Sequence, residues 1–295
     1  MFNRSSRVRG LSMLAGGALA LSAGLATSSP ALAEGADTGD IFGFSDGTDI
    51  GEKGDRAVEF DTVTGFGKRG GAYRALSATA AVKGTLSEQI AVGFGVGLSH
   101  AHVRNVPGLD NASGGGLQGL SGEFKYRVLE RAEHGVGLTL IAQPSWSRLD
   151  GEARRTNDFA IALKAAFDRE LVKNKLFGAV NFGYEPGWTS PVGGGQTERG
   201  STFALSTALS AQVSEGIFLG LEARYEHAAS GLAFSESQGH AVFVGPTFYA
   251  KVGKDAFVAG GWARQIAGRA SEVPRGFDLD NFERNVVRAR FAIAF

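Results

Sequence analysis

The chain has 295 residues, no cysteine, and 30 basic side chains against 30 acidic ones. The lack of cysteine excludes disulfide stapling, and the even charge argues against a nucleic-acid partner, which would want a concentrated basic face. Glycine, at 44 residues, is about twice its usual share of roughly 7%, and some of it (Gly93, Gly95, Gly97) stands inside alternating segments, as curved sheet walls demand.

Arg4, Arg7 and Arg9 precede an apolar run from Leu11 to Leu25, and Ala31-Leu32-Ala33 follows. The run is too short to cross a bilayer as a helix. A basic start, an apolar middle and a small-residue exit make residues 1–33 a signal peptide, cleaved after Ala33 and exported through the Sec pathway. Residues 34–55 read as a polar lead rich in Gly and Asp, solvated in the periplasm. Within it, Asp46-Gly47-Thr48-Asp49 lacks the alternating oxygen ligands and closing Glu of a calcium loop. No metal and no cofactor is expected.

From Arg56 onward twelve segments alternate apolar with polar or small residues. They are Arg56–Thr64, Tyr73–Lys83, Ile90–Val103, Leu117–Val128, Val136–Ser147 and Asp158–Asp168. Leu176–Glu185, Ser201–Val213, Ile217–Glu226, His240–Val252, Ala256–Gln265 and Asn285–Phe295 complete the set. Period two marks strands with different surroundings on their two faces. Most segments reach the roughly 9–11 residues that cross a bilayer at a barrel tilt. Only Ala256–Gln265 leaves its facing ambiguous. Connections after even-numbered segments are short, while most after odd-numbered ones are longer and rich in Gly, Pro, Asn and Ser, which matches short periplasmic turns and long outer loops. The predicted fold is all-β: a transmembrane, antiparallel, up-and-down barrel of about 12 strands over residues 56–295, with ten or fourteen as neighbouring counts. A soluble sandwich is the rival fold, but its connections need not alternate in length.

The final segment places Val287, Ala289, Phe291, Ile293 and Phe295 on one face and Arg288, Arg290, Ala292 and Ala294 on the other. This ending resembles the C-terminal strand of Gram-negative outer-membrane barrels. The resemblance implies that the strand closes the barrel and that its terminal aromatic is the signal read by the barrel-assembly machinery. The stretches Phe42 to Gly54 and Val106 to Asp110 are similar to ones in uncharacterised, porin-like outer-membrane proteins. That likeness implies location and fold, with outer-membrane lipid and lipopolysaccharide as neighbours, and brings no substrate.

On the apolar parity, Trp146, Tyr184 and Tyr225 fall near the loop ends of their strands, and Tyr126, Phe167 and Phe295 near the turn ends, as two interfacial girdles would. The opposite parity carries Glu59, Asp61, Glu123, Asp168, Glu185, Glu222 and Glu226 against Lys83, Lys125, Arg127, Lys164, Arg224, Lys251, Arg288 and Arg290. Such charges need water or one another. They line a narrow channel for small polar solutes, or they pair across the bore and make a closed structural or interaction barrel. An outer-membrane lipid hydrolase is the third reading. His227 and Ser230 superficially resemble a lipid A deacylase motif, but they stand three apart and point to opposite faces of a strand. His100 and His102 share the apolar parity without Ser99. No catalytic residue is expected.

Overall fold

The computed structural model describes residues 37–271 and 276–295; the predicted signal peptide lies outside them. The strands are β1 (Arg56–Phe66), β2 (Ala72–Ser87), β3 (Ile90–Arg104), β4 (Ala112–Leu129), β5 (Gly137–Leu149) and β6 (Arg155–Val172). After them come β7 (Leu176–Pro191), β8 (Glu198–Ser214), β9 (Ile217–Ser230), β10 (Glu236–Val252), β11 (Ala256–Ala270) and β12 (Asn285–Ala294). One short helix, α1 (Arg131–His134), sits between β4 and β5. Every neighbouring pair is antiparallel, and β1 pairs with β12 to close the barrel. The closing ladder runs from Ala57 opposite Ala294 to Phe66 opposite Asn285. One further bond, from Phe295 N to Arg56 O, extends it over 3.0 Å. Closure leaves no sheet edge to be satisfied by water.

All twelve predicted strands are present, and the end with short turns also carries the start of β1 and Phe295. The loops are shorter than the sequence pattern suggests. β4 starts at Ala112 and β7 runs to Pro191, because strands continue past the region where strict apolar alternation is required. β11 also becomes legible: Trp262 and Arg264 face outward while Ala259 and Ala263 are buried. Gln265 continues the inward parity of Ala263 and is buried, and the bulge opposite Val242 and Phe243 follows it.

The outer wall is apolar and exposed, with Phe94 at 57% and Leu221 at 56% accessibility. Such a belt has no place in water, and it is what lipid-facing strands present. Packing inside the barrel is different, because residues 37–55 do not extend away from it. They fold back into the bore at the turn end and form an inner segment. Ile41 and Phe42 are buried against Phe177, Ala179, Ala208 and Phe218. Burying Ile and Phe side chains contributes about 1.5–3 kcal/mol each. The predicted solvated lead is thereby corrected: its apolar residues are too costly to leave in water, and the bore offers them cover.

At the loop end, Tyr73, Ala75, Ala101, Val103 and Val106 pack under Leu109 and Ala153. Residues 277–284, ahead of β12, fold inward beside them. Phe282 packs edge-on to Phe243 at 6.3 Å, and Gln265 Nε2 donates to Asp278 O at 3.1 Å. Burial pushes the Asp278 carboxyl upward, against the hydrogen bonds it accepts from Asn281.

Candidate functional site: a charged bore and its inner segment

Alternation in the strands delivers charged side chains to the bore, and the inner segment meets them with its own. Asp168 on β6 is the main seat. Its carboxylate accepts from Thr48 N at 2.9 Å, from Thr48 Oγ1 at 2.8 Å and from Thr38 Oγ1. Arg131 of α1 bridges Asp168 at 3.0 Å and Asp49 at 2.7 Å. A second seat is Glu222 on β9, which accepts from Phe44 N and Ser45 Oγ, each at 2.9 Å. Ser45 Oγ also lies 2.7 Å from Ser206 Oγ on β8.

Other strands add further holds on the segment. Asn181 on β7 accepts from Asp46 N at 2.6 Å and donates to Asp46 O at 2.9 Å, while Lys164 Nζ reaches Asp46 Oδ2 at 2.8 Å. Arg290 on β12 donates to Asp40 Oδ1 at 2.6 Å and to Phe42 O at 2.8 Å. Thr85, Thr139 and Ser210 donate to the backbone oxygens of Ile50, Thr48 and Ile41. Hydrogen bonds to charged groups contribute about 1.5–3 kcal/mol each, so several together make a tight seat.

Two glycines make the fit sterically possible. A Cβ at Gly43 would stand 2.4 Å from Thr247 Cγ2, and one at Gly137 would stand 1.9 Å from Thr48 Oγ1. Gly137→Val is therefore expected to expel the middle of the segment while leaving the barrel closed. Faster amide exchange at Thr48, with unchanged resistance of the barrel to heat in gel electrophoresis, is the result that checks it.

Above the inner segment lies a cavity of about 410 Å³, floored by Phe44 and Asp46 and bounded toward the loops by Phe282 and Glu283. Of the predicted inner-face charges, Glu59, Asp61, Lys83, Glu123, Lys125, Lys164, Glu185, Arg224, Glu226, Arg288 and Arg290 line it. They are largely paired. Lys83 bridges Glu59 at 3.0 Å and Glu123 at 3.4 Å, Arg224 meets Glu226 at 3.1 Å, and Arg288 meets Asp61 at 2.6 Å. The Arg224 guanidinium also lies 4.3 Å from the Phe44 ring centre. Four predicted lining residues stand elsewhere. Asp168 and Glu222 face inward but are covered by the inner segment. Arg127 reaches Glu130 at the turn end, at 3.4 Å. Lys251 is exposed beside the β10–β11 turn. These last two lie where strands end, so correct parity does not bring them to the cavity.

The predicted girdle aromatics share the outward parity. Tyr126, Trp146 and Phe295 are exposed. Phe167 packs edge-on to Phe182 at 6.2 Å, Tyr184 packs on Phe234 at 5.2 Å and Tyr225 on His240 at 5.8 Å. His227 does not meet Ser230; its Nε2 is 2.9 Å from Ser237 Oγ on the next strand. Among the described residues no carboxylate orients that histidine. The sequence reading missed Arg131, Asn181, Ser206 and the acids of the inner segment. The signal available for the segment was Ile41, Phe42, Phe44 and Ile50, out of place in a solvated lead.

The fold has solved counterparts. The COG4313 outer membrane channel from Pseudomonas putida F1 is similar over 84% of this chain and 98% of its own, with TM-score 0.57 and 12% identity. The β domain of the Bordetella autotransporter BrkA is similar over 82% of this chain and 100% of its own, at TM-score 0.57 and 14% identity. The NanC porin is similar over 81% and 98%, at TM-score 0.50 and 7% identity. At these identities the likeness extends to architecture alone. No curated protein matches the chain. The match over residues 34–295 shows that this twelve-stranded, internally filled barrel belongs to the family of unknown function DUF6662.

Proposed function

We propose that the protein is an outer-membrane channel for passive diffusion of small polar solutes, and that its conducting state requires the inner segment to leave the bore. The single observation that carries this reading is the charge-lined cavity of about 410 Å³ above a segment held mainly by polar contacts. A bore meant to stay dry would be filled by apolar side chains. This one presents carboxylates, ammonium groups and hydroxyls, which water can solvate once the segment withdraws. The exposed apolar belt and the signal peptide predicted for residues 1–33 support an outer-membrane location, with the turn end in the periplasm. Two of the similar structures are described as an outer membrane channel and a porin. The terminal strand and Phe295 supply the contact for the barrel-assembly machinery.

The near balance of charge around the cavity predicts weak ion selectivity. In planar bilayers the full mature chain should give brief current steps with similar permeability for potassium and chloride. Arg288→Ser leaves Asp61 without its partner and should move the reversal potential toward cation preference, by about threefold in permeability ratio for one lost charge. Silence from both the full chain and a chain lacking residues 34–55 would reject the channel. A closed structural barrel is the second reading, favoured by the same inner segment, and that silence would support it.

A further inference from the structure

The exterior of the barrel carries a second charge pattern, independent of the bore. On β2 and β3, Arg74 and His102 are register partners, and Arg104 stands opposite Ala72 one step further toward the loops. On β9 to β11, His227 pairs with His240 and His240 with Arg269, a row across three strands. Arg148 and Arg199 stand at the same end on β5 and β8, and Arg155 opens β6. Arg264 lies lower on β11. All seven arginines are exposed and share the parity of the apolar wall.

Three features separate this from ordinary surface charge. No Asp or Glu of the described strands shares that face at that end, and none of the seven arginines forms an ion pair among the described residues. At the turn end the same face carries only Arg56 and Arg169 among strand residues. The collar also sits directly on the aromatic girdle: the Arg148 guanidinium is 5.8 Å from the ring centre of Trp146. The choice of side chain matters as well. Every lysine on the strands belongs to the inward parity, so the outward cations are arginines. A guanidinium fork fits two phosphate oxygens at once, as an ammonium does not.

We propose that this collar binds the phosphate groups of phosphorylated lipid headgroups in the outer leaflet around the barrel, with Arg74, His102 and Arg104 forming one site and His227, His240 and Arg269 another. The occupant is fixed by position. A group meeting these side chains has to stand just beyond the aromatic girdle, outside the barrel, and be anionic; a lipid headgroup phosphate meets all three conditions. Each arginine adds its own attraction to an anionic membrane surface, and a site of two or three cations therefore selects among lipids.

This inference rests on the reading of the barrel as a membrane protein, and the experiment separates the two. The mature full-length chain in neutral detergent is titrated with bisphosphorylated lipid A and, separately, with phosphatidylcholine. Tighter binding of lipid A, weakened by salt, is the expected result. The pairs Arg74→Ser with Arg104→Ser, and His240→Ser with Arg269→Ser, should each lower lipid A affinity by about tenfold. The pair Arg56→Ser with Arg169→Ser should leave it unchanged. Equal affinity for the two lipids, or no effect of the loop-end pairs, overturns the proposal. Displacement of lipid A by millimolar inorganic phosphate would make the collar a general anion site and overturn the lipid assignment. A chain that stays dispersed without detergent overturns the membrane reading itself, and the collar with it.

Discussion

Deleting residues 34–55 is expected to turn a bore that conducts rarely into one that conducts persistently, raising mean planar-bilayer current by about tenfold or more. The inner segment lies across the bore and touches strands from most of the circumference, from Thr85 on β2 to Arg290 on β12. Ions crossing the bore have to pass the level at which Ser45, Asp46 and Thr48 bond to the wall. Deletion also leaves Asp168, Glu222 and Arg290 facing water, where their charges are readily solvated. The absence of native cysteine gives a reversible version of the same test. Ser45 and Ser206 bring their Oγ atoms within 2.7 Å, so a cysteine pair there places its two sulfurs within reach of the roughly 2.05 Å disulfide bond. The oxidised Ser45→Cys/Ser206→Cys protein should carry no current, and a reductant should restore the level of the parent chain. Equal currents in the oxidised and reduced protein would show that conduction, if present, bypasses the segment.

The barrel wall is legible in the sequence because period-two alternation is local. Leu219, Leu221 and Ala223 declare their face without reference to any other strand, and the short turn 215–216 declares the hairpin. The interior is less legible because its partners are remote. Thr38 meets Asp168, Ser45 meets Glu222 and Asp40 meets Arg290, and nothing in local spacing couples such pairs. The inner-face charges were identifiable by parity, but parity cannot say whether a carboxylate faces water or a buried peptide. Glu59 and Glu222 share a parity class, yet one lines the cavity and the other accepts from Phe44 and Ser45. Likewise Arg131 lies in a turn, where alternation has no meaning, and its reach to Asp49 and Asp168 depends on α1 holding it under the mouth. What the lead did show was four large apolar residues, Ile41, Phe42, Phe44 and Ile50, with no place in solvent. Their cover is the one feature of the bore that composition could have demanded.

Asp168→Ala should loosen the inner segment more than any other single change in the wall. Asp168 is 2% exposed and accepts from both threonine hydroxyls, from Thr48 N and from Arg131. Its removal leaves Arg131 paired with Asp49 alone and strands the buried amide and hydroxyl of Thr48, at about 1–3 kcal/mol for each donor left unsatisfied. That amounts to roughly a hundredfold or more in the seated fraction. The barrel ladder at Asp168, paired with Gly137 and Ala179 through backbone atoms, is untouched, so the effect should be confined to the segment. Hydrogen exchange at Thr38 to Thr48 should accelerate by that factor, while strand amides such as Val180 keep their protection. Asp168→Asn retains an acceptor for Thr48 but loses the charge opposite Arg131, and should fall between the two. In the Ser45→Cys/Ser206→Cys background, Asp168→Ala should also slow disulfide formation, since the two thiols would meet less often. Unchanged exchange at Thr48 in Asp168→Ala would mean that Glu222 and Arg290 alone hold the segment, and would move its seat from β6 to the β9–β12 side of the bore.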